Sequence, residues 1–311
     1  MTDSDKEIRS FFRKHLTQKT YAVCLMLISA LLFALMQIFV KLSSGHIGTL
    51  QQVFSRNLIS ALVAFIFICR EHVPLMGAIK YQPILFARSF FGFVGIILFF
   101  YAARNAPQAD VAILNRLSPV FVTIFAAIFL KEKITRVQIP VILLCLGGAY
   151  IAMRPSFESN FLPLLMALLA AVTSGIAYTL VAYCSGRVSP LTVIFHFSLF
   201  STVFGAIMMI PSFVMPNLGD VMMLLLIGLC GSFGQIMLTY AYQMAPASQV
   251  SIYQYAGVIF TSILGYFLLG ETLAESALLG GSIIIGASLW AFLYNRKQAS
   301  SENNHQKDGL I

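Results

Sequence analysis

The sequence predicts an all-α integral membrane protein: ten transmembrane helices arranged as two inverted five-helix repeats. Composition is the first reason, since 59% of the 311 residues are hydrophobic and 10% are charged, with a mean hydropathy of +0.85. Soluble domains are roughly a quarter charged, and a soluble chain of this length needs far more polar surface than these side chains supply. The second reason is the form of the apolar segments. Unbroken runs such as Ile139 to Met153 and Met222 to Cys230 read as helices, whereas barrel strands alternate in polarity. The third is an internal repeat that relates the two halves of the chain.

A helical span takes about 20 apolar residues, and apolar runs between charged or turn-rich breaks define the elements in order. Residues 1–19 are polar and basic and form a cytoplasmic tail. The run that follows has no small-residue cleavage signature, so the first helix is expected to stay in place. The first repeat, residues 20–153, carries helices near 20–42, 50–69, 83–103, 106–130 and 137–153. The second, residues 160–294, carries helices near 160–184, 189–212, 220–243, 246–269 and 276–294. Residues 295–311 form a second cytoplasmic tail, polar from Gln298 onward and expected to be disordered.

Charge sets the orientation. Of the twenty Lys and Arg, fourteen fall in segments on the side of the N-terminus and three, Lys41, Arg104 and Arg154, on the other. This positive-inside bias places both termini in the cytoplasm, and the short tails suit a bacterial inner membrane. The five cysteines, Cys24, Cys69, Cys145, Cys184 and Cys230, lie in or beside apolar runs without metal-ligand or redox spacing, and read as small packing residues.

Sliding the chain against itself by 139 positions aligns residues 92–147 with 231–286 without a gap, at 14 identities in 56. The informative matches are Gly92 and Gly95 with Gly231 and Gly234, Tyr101-Ala102 with Tyr240-Ala241, Ala106-Pro107 with Ala245-Pro246, and Glu132 with Glu271. The glycines suit close helix approach, the prolines a first helical turn, and the glutamates the exits from the membrane. Each half holds five helices, an odd number, so the second half is upside down relative to the first. Inverted repeats of this kind underlie alternating access in many secondary transporters, with the substrate near the midplane between halves.

On these features the chain resembles the drug/metabolite transporter superfamily, of the EamA-domain type, over about residues 20–294. The most specific stretch runs from Ala106-Pro107-Gln108-Ala109-Asp110 through Leu117-Ser118-Pro119-Val120-Phe121 to Phe129-Leu130-Lys131-Glu132-Lys133. It is echoed by Ala245-Pro246 to Phe267-Leu268-Leu269-Gly270-Glu271. The resemblance implies a central cavity lined by both halves and a secondary carrier without cofactors. It implies no one substrate: relatives are associated with amino acids, nucleotide-linked metabolites, vitamins and S-adenosylmethionine.

Few ionisable residues lie inside the predicted spans, where each costs about 2.5–3.5 kcal/mol on insertion scales. Arg116 is ten residues into the fourth helix, roughly 15 Å deep at 1.5 Å per residue, too deep to snorkel readily. It is expected to face a cavity. Arg56 and Arg88 are shallower, and either a functional role or a headgroup contact fits. Lys41 and Arg104 suit interfacial anchors. His196 reads as a hydrogen-bonded neutral histidine or a titrating group. Asp110 complements the fourth helix dipole, and no Asp or Glu falls near a midplane, so no coupling carboxylate is evident.

The repeat sets Asn115-Arg116 against Gln254-Tyr255 near the centre, with Pro119 expected to kink the fourth helix beside them while Val258 takes that position in the ninth. Tyr178, Tyr240, Tyr253 and Tyr255, with Gln37 and Gln235, offer stacking faces and hydrogen bonds or are ordinary packing. Arginines without buried acids favour a small metabolite bearing a carboxylate or phosphate, such as an amino acid, paired by Arg116. The alternative is an aromatic or adenosyl-type solute, such as S-adenosylmethionine or a vitamin, held by the tyrosines. An embedded enzyme lacks a catalytic pair at depth, and a channel lacks charge rings or a filter motif. The partners expected are a small-molecule substrate and membrane lipids, with no nucleic acid. One chain holds a full pathway, and a dimer is compatible with the sequence.

Overall fold

The structure, a computed structural model, describes residues 3–43, 45–106, 108–153, 161–270 and 275–308. Pro107, Arg154 and Glu271, and the side chains of Arg104 and Asp110, lie outside the described residues. The first half comprises α1 (Asp3–Ser43), α2 (Thr49–Glu71), α3 (Gln82–Asn105), α4 (Gln108–Asn115), α5 (Ser118–Phe129) and α6 (Gln138–Met153). The second comprises α7 (Phe161–Tyr183), α8 (Pro190–Met209), α9 (Leu218–Met244), α10 (Ala247–Val250), α11 (Ala256–Leu269) and α12 (Glu275–Asp308). Among the described residues, 8 helical stretches are long and apolar enough to cross a membrane, and two shorter apolar helices, Gln138–Met153 and Leu278–Tyr294, close the two halves. Large apolar side chains such as Phe65, Ile128, Leu143, Ile207 and Leu289 stand largely exposed on their outer faces, the pattern expected where the surrounding solvent is lipid.

The packing repeats the sequence symmetry. Helix α1 packs on α9 as α7 packs on α3, α1 packs on α11 as α7 packs on α5, and α2 meets α8 while α6 meets α12. Exchange of the halves interchanges the first two pairings and the next two, and maps α2 with α8 and α6 with α12 each onto itself. The glycine matches explain two of the contacts. A Cβ at Gly95 would lie 2.9 Å from Thr173 Oγ1 on α7, and one at Gly234 would lie 3.2 Å from the Phe33 ring on α1. Close approach there follows from the missing side chain.

The fourth span is broken into α4 and α5. Pro119 has no N–H to offer the Asn115 carbonyl, and the Val120 N–H turns to Leu117 O at 2.9 Å, leaving Arg116 O without its helical partner. The expected kink is therefore a full interruption. The ninth span breaks at the equivalent place with no proline, where Ser251–Tyr255 winds as a 3-10 segment between α10 and α11. At its C-terminal end, α12 continues as helix to Asp308, past Gln298 where disorder is expected. A helix already formed over its apolar part propagates at one hydrogen bond per added residue, without a second nucleation.

Polar ties join the halves at both ends of the bundle. At the end bearing Lys131 and Lys133, the Glu132 carboxylate accepts from the N–H groups of Ala247 (2.9 Å) and Ser248 (3.0 Å) and from Ser248 Oγ (2.6 Å). At the other end, His46 Nδ1 lies 2.6 Å from Asp220 Oδ2. Beside it the Gln51 side chain exchanges two hydrogen bonds with the Val214 backbone, at 2.9 and 3.1 Å.

Candidate substrate site

The two helix breaks face each other, and the site grows from that. The backbone oxygen that the fourth-span break leaves free at Arg116 accepts a hydrogen bond from Tyr255 Oη at 2.9 Å. In return Arg116 Nη1 donates to Gln254 O at 3.3 Å, a carbonyl in the 3-10 segment of the ninth span. Broken helices at membrane depth are tolerated where freed backbone groups find such partners or line a cavity. Room for the guanidinium comes from Gly257, where a Cβ would sit 3.3 Å from Nη1 and 3.6 Å from Nη2.

A cavity of about 60 Å³ lies against this junction, lined from α1 by Ser29, Phe33 and Gln37, from the break by Arg116 and Gln254, from α7 by Tyr178, and from α11 by Gly257 and Thr261. Both halves contribute. The wall is a connected polar chain: the Tyr178 ring stacks on Tyr242 with centroids 5.4 Å apart, the Tyr242 hydroxyl accepts from Gln254 Nε2, and Gln254 holds Arg116. About 60 Å³ accommodates roughly two waters, while metabolite pockets run from about 300 Å³ upward. This conformation is therefore contracted around the site.

Of the residues singled out in the sequence, Arg116, Gln254, Tyr178 and Gln37 border the cavity, and Tyr255 braces Arg116 from behind as a fully buried core residue. Asn115 ends α4 and is not among the lining residues. Tyr253 and Tyr240 pack in the hydrophobic core, and Gln235 is buried with its amide turned to Thr239 Oγ1 of its own helix, at 3.3 Å. Arg56, Arg88 and His196 are not among the lining residues. Arg88 is only 2% exposed, so the headgroup reading fails for it. Its guanidinium carbon lies 3.8 Å from the centroid of Phe197. His196 Nδ1 is 2.9 Å from Ser89 Oγ, the hydrogen-bonded arrangement. Among the described residues no acidic side chain pairs with Arg56, Arg88 or Arg116.

Sequence reasoning missed Tyr242, Phe33, Ser29 and Gly257. Tyr240 and Tyr242 are two positions apart, about 200° around the helix, so one faces inward. Tyr242 is the one that stacks on Tyr178, and Tyr240 is the one with a repeat mate. Glu132, read as a membrane exit, also proves to be a tie between halves.

Two like halves around a polar cavity, with interrupted helices meeting at its centre, define a multi-pass membrane transporter. The model of the EamA-like transporter family matches residues 20–154 and again 161–293, and the chain belongs to that family. It is similar to the pseudopaline exporter CntI of Pseudomonas aeruginosa, 29% identical over 269 residues that cover 86% of this chain and 94% of that protein. It is also similar to an S-adenosylmethionine uptake transporter of Rickettsia prowazekii, 22% identical over 93% of this chain and 98% of that one. A solved crystal structure superposes with a TM-score of 0.79 at 18% identity, covering 90% of this chain and 99% of its own, so the fold is shared.

Proposed function

We propose that the chain is a secondary carrier that moves a small carboxylate- or phosphate-bearing metabolite by alternating access, with Arg116 as the substrate anchor. The observation that carries this is an interior holding Arg56, Arg88 and Arg116 with no acidic partner among the described residues, one of the three bordering the cavity at the junction of the halves. Arg116 makes a single 3.3 Å bond to a neutral carbonyl, which leaves most of its planar fork for an anion. The contracted cavity fits a carrier that must open to load, one half rocking against the other around the site. The chain is read as a carrier, not an enzyme, sufficient as a monomer, in a bacterial inner membrane with both termini cytoplasmic.

A second reading, a carrier for an adenosyl-type or other aromatic metabolite, is favoured by the stacked Tyr178–Tyr242 pair and by the relatives named for S-adenosylmethionine uptake. Thermal unfolding of detergent-purified protein against metabolites sorted by charge separates the two, because a ligand of the native state raises stability as RT ln(1 + [L]/Kd). Anions that stabilise wild type and not Arg116→Ala support the first reading. Aromatic neutral or cationic solutes that stabilise both proteins equally support the second.

A further inference from the structure

Arg88 on α3 is buried and Arg56 on α2 is half-buried, and both have donors to spare. Arg56 Nε, Arg88 Nε and Arg88 Nη1 have no hydrogen-bond partner. The Phe197 ring under Arg88 engages the flat face of the guanidinium, while its N–H donors lie in the plane at the rim and stay free. Space for both groups is built in. A Cβ at Gly92 would lie 2.5 Å from Arg88 Nη1, and one at Gly231 would lie 2.9 Å from Arg56 Cγ and Nε. Gly92 and Gly231 are repeat mates, 139 positions apart, so the same notch in each half receives one arginine. Arg56 adjoins the cavity: Phe33, which lines it, has its ring centroid 5.8 Å from the Arg56 guanidinium carbon. Arg88 is tied to α2 through Phe197, whose neighbour Ser198 donates from its Oγ to Ser60 Oγ at 3.0 Å, one helical turn from Arg56.

We propose that Arg56 and Arg88 form a second anion subsite beside the Arg116 cavity, so that the transported solute is a dianion with one acidic group at Arg116 and the other between Arg56 and Arg88. This rests on the anionic reading of Arg116. Two like charges held in a low-dielectric interior, with no acidic partner among the described residues, are stabilised by an anion that both can grip, and a monoanion at Arg116 leaves them unmatched. Opening of the contracted cavity past Phe33 joins the two subsites.

The test is apparent affinity from thermal shifts of the purified protein with matched pairs of probes, a monoanion and a dianion of like length: butyrate and succinate, valerate and glutarate, hexanoate and adipate. Wild type is expected to bind the dianion of at least one pair about ten-fold or more tighter than its monoanion. Arg56→Gln and Arg88→Gln should bring that ratio to within about two-fold while keeping the monoanion response. Arg56→Lys and Arg88→Lys, which keep the charge, serve if the glutamine variants fail to fold. Equal affinities within every pair in wild type, or a ratio unchanged in the arginine variants, overturns the subsite. Monoanion binding that is lost in Arg116→Gln while dianions gain nothing leaves the Arg116 reading standing alone. No response to any of the anions overturns both.

Discussion

Tyr255 Oη donates to the backbone oxygen of Arg116 at 2.9 Å, and the two residues occupy equivalent positions in the two repeats, 139 apart. A residue that touches its own repeat mate sits at the pseudo-two-fold axis that relates the halves. The cavity beside Arg116 thus lies where the two halves meet. The asymmetry is chemical: one half supplies a cation, the other a phenol that locks the cation's backbone.

Tyr255→Phe removes that lock and leaves a buried carbonyl without a partner, a loss of about 1–3 kcal/mol. The expected outcome is a lowered unfolding temperature together with weaker ligand stabilisation, measured on the same purified protein. Tyr253→Phe, at a neighbouring core tyrosine, should leave ligand stabilisation unchanged.

Glu132→Ala strips three hydrogen bonds from the first turn after the α9–α10 connection and is expected to cost about 1–3 kcal/mol. Lys131→Ala and Lys133→Ala, at flanking exposed positions, should stay within about 0.5 kcal/mol. Comparison of the three unfolding temperatures checks this.

Gly147 and Gly148 are adjacent on α6 yet should respond oppositely to alanine. A Cβ at Gly147 meets nothing within 4 Å, whereas one at Gly148 would lie 2.7 Å from the Gly280 carbonyl oxygen on α12. Gly147→Ala is expected to be neutral or stabilising by up to about 1 kcal/mol, and Gly148→Ala to destabilise by pushing α12 away. Yield of folded protein and thermal unfolding read out both.

Tyr178 distinguishes the two substrate readings. If its ring stacks on the solute, Tyr178→Phe retains binding and Tyr178→Ala loses it. If its part is polar and electrostatic beside Arg56 and Arg88, Tyr178→Phe alone weakens anion binding.

Much of this architecture was legible because lipid makes strong demands: apolar runs, the loop-charge bias and the 139-residue repeat each reflect a physical constraint on spanning helices. Arg116 stood out since depth makes its charge costly. The break in the ninth span was not legible, because Ser251–Tyr255 contains no proline and its 3-10 winding follows from tertiary partners across the axis. The inward face of α9 was hidden for another reason. A helix that is apolar all round gives periodicity nothing to act on, so Tyr240 and Tyr242 look alike in sequence. Gly231 and Gly92 read as helix-contact glycines, and their contact with guanidinium groups depends on how α2 and α3 are rotated.

The most direct test of the central claim is solute counterflow in proteoliposomes loaded with an unlabelled anionic metabolite identified by the thermal-shift panel. Wild type is expected to show saturable, trans-stimulated uptake of the labelled anion, and Arg116→Gln to lose it with folding intact. Uptake that survives Arg116→Gln unchanged, or flux that neither saturates nor responds to solute on the far side, would contradict that claim.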